Sequence, residues 1–239
     1  MRADNTSIYS HSTDMRNPLL LAKLIYKSVI LVKYPTRLAE VIQLADDISD
    51  DEVMGQFIDE IRKDATGARA LVEHPRVNIK RDELRALPKG TLGREYIDFM
   101  DGNGLNPEDL PTRPANNEPD FVRAHLFETH DIWHVVTGFK TDLAAELGLQ
   151  AFYLAQLPAR LSPLLLAIGM ANTLVYNFDD KDARMDAIVH GWRMGKRAKQ
   201  LFGQDWKQLW ATPLAEVRAR LNVNVAEESY SVSTVAAAA

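Results

Sequence analysis

The chain has 239 residues, enough for one large domain with a sizeable core. At 46% hydrophobic and 26% charged it has an ordinary globular composition, and a net charge of -5 gives no electrostatic case for nucleic acid. It contains no cysteine, which excludes disulfides, thiol catalysis and thiolate metal sites; any metal must be held by nitrogen and oxygen.

Residues 1–16 are polar without an apolar period and read as a mobile N-terminal arm. They carry acids and lack an Arg-rich amphipathic stretch, so they resemble neither a secretory signal nor a mitochondrial presequence. The expectation is a cytoplasmic protein, with a peripheral position on the inner membrane as the other possibility. Residues 18–34 form an apolar helix closed by Pro35, but Lys23, Lys27 and Lys33 interrupt it, which argues against a lipid-embedded span. It is either a core helix whose lysines snorkel or an interfacial helix on a membrane.

A helix over 36–44 leads to the acidic run 46–52, where Ser49 and Glu52 stand at capping-box positions. Acids at a helix start favour the helix dipole, and no cation site is read there. An amphipathic period then continues through 53–73 and stops before His74-Pro75, placing His74 at the surface. Short helices follow at 82–87 and 94–100, then a loop over 107–119 rich in Pro, Asn and Asp, of a length used for lids and linkers alike.

The next helix, 120–136, carries the chemistry. His130 and His134 are four residues apart and share one face. Glu146 lies twelve residues beyond His134, roughly 18 Å along an unbroken helix. Gly138 is placed to end the helix in the left-handed region, and Thr141 to cap a new one over 142–156. His134 then lies about 6 Å before the turn and Glu146 about 7.5 Å after it, so an antiparallel helix hairpin brings them to nearly one level. Two imidazoles and a carboxylate can converge there, with Asp131 as a further oxygen ligand or as a base. Gln150 sits one turn beyond Glu146 on the same face and is a candidate substrate contact. His125, about 140° round the axis from His130, faces elsewhere.

Residues 161–171 start a helix that is apolar almost all round, either central to a core or lining a greasy cavity. Leu164 and Ile168 on it are the apolar substrate-contact candidates. A helix over 183–202 carries the basic run Lys196, Arg197 and Lys199, read as a solvated face, and helices at 204–209 and 213–221 finish the domain. Residues 229–239 read as a disordered tail. The class is all-α, with one helical domain over 17–228.

A divalent metal is the expected cofactor. Imidazole with carboxylate suits zinc or iron, while magnesium prefers oxygen. A hydrolase is a third option, but Asp131 stands where zincin peptidases have their glutamate base, one methylene shorter.

The sequence resembles the coenzyme Q biosynthesis protein 4 family. That family's signature, His-Asp-x-x-His followed by eleven residues and Glu, matches His130, Asp131, His134 and Glu146. Leu87-Pro88-x-Gly90-Thr91-x-Gly93-x-x-Tyr96 resembles its turn before the loop, and Gly191-Trp192 through Trp206, Pro213 and Arg218 its C-terminal part. Ala124-His125-Leu126-Phe127 departs from the family's Arg-Tyr-Arg pattern. The resemblance implies a role in ubiquinone biosynthesis on polyprenylated aromatic intermediates. That role is either oxidative decarboxylation at ring C1 or a lipid-binding scaffold that organises other quinone-biosynthesis proteins at a membrane surface. The apolar helices would cradle the isoprenoid tail, and a homodimer is expected to be accessible.

Overall fold

The computed structural model describes residues 18–49, 51–106 and 113–226. The expected N-terminal arm and C-terminal tail, and the first half of the 107–119 loop, lie outside the described residues. Every regular element described is helical; the only bridge among the described residues pairs Thr91 with Pro213. The chain is all-α.

Helix α1 (Pro18–Lys33) packs on α2 (Leu38–Ile48) around a small apolar cluster of Leu24, Leu31, Leu44, Ile48 and Ile168. Asp47 pins the two helices together: its carboxylate accepts from Lys23 Nζ at 2.5 Å and from the buried Lys27 Nζ at 2.6 Å. The acidic run thus serves α1 as a counter-charge. Helix α2 runs four residues beyond the expected stop at 44, and Ser49 closes it.

The amphipathic stretch 53–73 is two helices rather than one, α3 (Asp51–Ile61) and α4 (Ala65–Glu73). Asp64 makes the break, its carboxylate accepting the N–H groups of Thr66 and Gly67 as the cap of α4. Apolar period alone runs through such a break, because both helices bury the same side of the chain. His74 ends α4 and is half-buried, its ring stacked on Phe121 at 4.7 Å. Helices α5 (Arg81–Arg85) and α6 (Leu92–Gly102) lead to α7 (Glu118–Thr137), the longest helix described, and then α8 (Leu143–Gln156). These surround the main core, in which Trp133, Trp206, Tyr96, Phe121, Phe152 and Phe202 are almost fully buried.

Helix α9 (Leu161–Tyr176) lies at the edge of the fold instead of its centre. It buries Ser162, Ile168, Gly169, Asn172 and Thr173 and leaves Leu174, Val175 and Tyr176 exposed. It packs on α8 and α1, touches α2 and the short turn Phe178–Asp180 as well, and leaves its apolar C-terminal turn uncovered. Asn172 ties it to α1 through the Val32 carbonyl and to the buried Arg184 of α10 (Lys181–Arg197).

Helices α8 and α10 touch backbone to backbone. A Cβ at Gly191 would sit 1.9 Å from the Gly148 carbonyl oxygen, so only glycine fits the crossing. Helix α10 ends at Arg197, short of the expected 202. Gln156 stops it: its amide donates to the Gly195 and Ala198 carbonyls and accepts the Leu201 N–H. Lys196 and Lys199 are exposed, as a solvated basic face requires. Helices α11 (Trp206–Leu209) and α12 (Leu214–Leu221) close the fold. No helix of the described residues is long and apolar enough to cross a membrane.

Candidate metal centre

Helix α7 is fixed at both ends. Asn117 caps its start by accepting from the Asp120 N–H, with acids in the first turn complementing the dipole. At the other end Gly138 takes a φ of 79°, and its N–H returns to the His134 carbonyl. The last carbonyls, of Val135 and Val136, accept from the Arg218 guanidinium of α12. The next helix is capped by Asp142, whose side chain accepts from the Ala145 N–H. The expected cap, Thr141, donates to Asn103 instead. One residue decides this: Asp142 sits directly before the first helical residue, and a carboxylate caps at least as well as a hydroxyl.

The contacts between α7 and α8 run in opposite senses along the two helices. His134 meets Glu146 near the turn, while Trp133 and His130 meet Tyr153 further from it. His134 Nε2 is 3.3 Å from His130 Nε2 and 3.3 Å from Glu146 Oε1, and one ligand atom from each of the three residues falls within 4.8 Å of the others. Two ligands of a tetrahedral zinc, each about 2.0–2.1 Å from the metal, lie about 3.3 Å apart. The His–His and His–Glu edges therefore fit a metal.

The protonation pattern fits too. His134 Nδ1 faces the Phe139 carbonyl at 3.1 Å, so it carries the proton and leaves the Nε2 lone pair for the cluster. Phe99 stacks on the same ring, 5.7 Å between centroids. The Phe139 ring packs against Gly148, where any Cβ would strike it. His134 is buried whereas the Glu146 side chain is 34% exposed, so the cluster opens on the glutamate side.

Charge is unequally placed among the three. Burial depresses the basicity of His130, the neighbouring His134 adds to this, and Glu146 and Asp131 offset it only in part. Burial also works against charge on His134, but its hydrogen bond and attraction to Glu146 outweigh it and the net shift is upward. The two shifts favour protonation of His134, beside Glu146, over protonation of His130.

Asp131 is half-buried and outside the three-residue group, but close enough to act electrostatically on His130, His134, Tyr96 and Tyr153. Gln150 accepts from Ser162 Oγ at 3.0 Å and so joins α8 to the start of α9. Ile168 is buried in the small cluster of α1, α2 and α9, with Leu164 packed against it, away from the imidazoles. The sequence pattern assigns no role at the site to the Phe139 carbonyl, Tyr153 or Arg218. Tyr153 carried a signal, since Glu146, Gln150 and Tyr153 follow the i, i+4, i+7 period of one helix face. His125 is confirmed as facing elsewhere: its Nε2 accepts from the Gly203 N–H at 3.0 Å, and Phe121 and Phe202 enclose it.

Fold and site together define an all-helical protein with a two-histidine, one-carboxylate centre built where two helices meet. The profile of the family described as Coenzyme Q (ubiquinone) biosynthesis protein Coq4 matches residues 12–227, and the chain belongs to that family. It is 28% identical over 210 residues to the mitochondrial ubiquinone biosynthesis protein COQ4 homolog of Danio rerio, covering 82% of this chain and 73% of that one. The Mus musculus homolog is 29% identical over 178 residues, covering 70% and 64%. A crystallised protein of Nostoc punctiforme PCC 73102, named for ubiquinone biosynthesis, superposes with a TM-score of 0.74 at 30% identity, over 85% of this chain and 98% of that one.

Proposed function

We propose that the protein acts in ubiquinone biosynthesis on a polyprenylated aromatic intermediate, with a divalent metal held by His130, His134 and Glu146. The observation that carries this reading is the convergence of one ligand atom from each of the three residues within 4.8 Å. Two nitrogens and one oxygen favour zinc or iron over magnesium. When bound, the metal supplies Lewis-acid polarisation of a ring carboxylate or phenolic oxygen. His134 must give up its proton to bind it, and Glu146, on the open side, faces the incoming head group. Asp131, half-buried and electrostatically coupled to both histidines, would act as a base or a further ligand. The reaction best suited to this site is oxidative decarboxylation at ring C1, in which the carboxyl leaves as carbon dioxide and a hydroxyl oxygen comes from an external oxidant. Gln150, Leu164 and Ile168 would contact the rest of the substrate, and the exposed apolar residues of α1 and α9 suit an isoprenoid tail.

A second reading, a non-catalytic scaffold for prenyl lipids at a membrane surface, is favoured by one observation. Leu19, Ile25, Tyr26 and Val29 of α1 and Leu174, Val175 and Tyr176 of α9 are all exposed. The same faces suit a homodimer or partner proteins of the pathway. The test is a quinone-deficient strain lacking this protein and supplied with the wild type or His134→Ala. The catalytic reading expects the variant to accumulate a carboxylated prenyl-aromatic precursor and make no quinone. Normal quinone in the variant would leave the scaffold.

A further inference from the structure

We infer that Tyr153 is a positioning residue of this centre: its hydroxyl holds the proton of His130 on Nδ1 and so presents Nε2 to the metal. The inference rests on the reading that His130, His134 and Glu146 bind metal, and deepens it.

An imidazole ligand uses the lone pair of one nitrogen, and the other nitrogen keeps its hydrogen and needs an acceptor. For His134 that acceptor is the Phe139 carbonyl. For His130, Nε2 points at the cluster, and the hydrogen-bonding neighbour of Nδ1 is Tyr153 Oη at 3.4 Å. Such bonds are commonly long before a ligand is bound and tighten with it.

The tyrosine is held for this task. Its ring stacks on the fully buried Trp133, 4.2 Å between centroids and 9° from parallel, and lies within 21° of the His130 ring plane. Turning it away would open a hole in the core. A phenol hydroxyl has lone pairs with which it can accept from Nδ1–H. Without Oη, the Nδ1–H of the half-buried His130 imidazole has lost its acceptor, and the Nε2–H form, which cannot ligate through Nε2, competes. Loss of such a partner lowers metal affinity by about 10- to 100-fold.

The test uses the full chain and Tyr153→Phe, which keeps the stack on Trp133 and deletes one oxygen. Zinc alone is titrated against a competing chelator, and the histidine tautomers of the metal-free proteins are read by long-range nitrogen–proton NMR. The wild type is expected to hold His130 in the Nδ1–H form. The variant should shift towards Nε2–H and bind zinc about 10- to 100-fold more weakly, with its metal-free melting temperature little changed. Wild-type affinity in the variant, or an Nε2–H His130 in the wild type, overturns the inference. A wild type that binds no zinc or iron would sink the metal reading instead. The wild-type tautomer, which needs no variant, would still judge the role of Tyr153.

Discussion

Three histidines on α7 should answer acid in different ways, and His125 gives the sharpest case. It is 1% exposed, accepts from the Gly203 N–H, and is packed between Phe121 and Phe202. Burial pushes its pKa from 6.5 down to about 4, against the pull of the Pro75 carbonyl and with Arg76 adding to the depression. The folded state thus prefers neutral His125, while the unfolded chain takes up a proton near pH 6.5. Stability from this group is fully present above pH 6.5 and is lost as pH falls towards 4. A difference of that size is worth about 3 kcal/mol in all, of which about 2 kcal/mol is lost between pH 7 and pH 5. Urea unfolding of the metal-free wild type and of His125→Phe at both pH values isolates it, because every other titrating group is common to the two. The variant will be less stable at pH 7, since the Gly203 N–H loses its acceptor at a cost of about 1–3 kcal/mol. The gap should close by about 2 kcal/mol at pH 5. Equal acid losses in the two proteins would refute the reasoning.

Metal affinity should rise with pH and level off once His134 has lost the proton it shares with Glu146; chelator titrations across pH 5.5–8.5 would show this, and a flat profile would contradict it. For the metal-free protein the sign is reversed. The upward shift of His134 contributes stability below its ordinary pKa, and that stability is lost as pH rises through the folded value. Gly191→Ala forces a methyl group against the Gly148 carbonyl and should cost about 3 kcal/mol or more while pushing α8 from its seat. A melting temperature within 2 °C or so of wild type would show that the crossing gives way cheaply.

The helical class and the grouping of His130, His134 and Glu146 were legible because they depend on local rules. Four-residue spacing puts His130 and His134 on one face, and Gly138 and the residues after it turn the chain. Glu146 then falls level with His134 by arithmetic on helix rise. What the sequence hid was decided by distant partners. The split between α3 and α4 hangs on Asp64, whose capping leaves the apolar period intact. The stop of α10 at Arg197 depends on Gln156, about forty residues earlier, and the finish of α7 on Arg218, about eighty later. Helix α9 misleads most, since its composition matches a central helix while its neighbours leave Leu174, Val175 and Tyr176 exposed. The carbonyl that orients His134 belongs to Phe139, and no side-chain pattern reports which way a backbone carbonyl points.

The most direct test of the central claim is the metal content of the purified full chain beside His134→Ala, measured by elemental mass spectrometry after loading with zinc or ferrous iron and removal of the excess. One metal ion per wild-type chain, lost in a variant that still folds, is the expected result. Equal metal in the two proteins, or none in the wild type after loading, would contradict it.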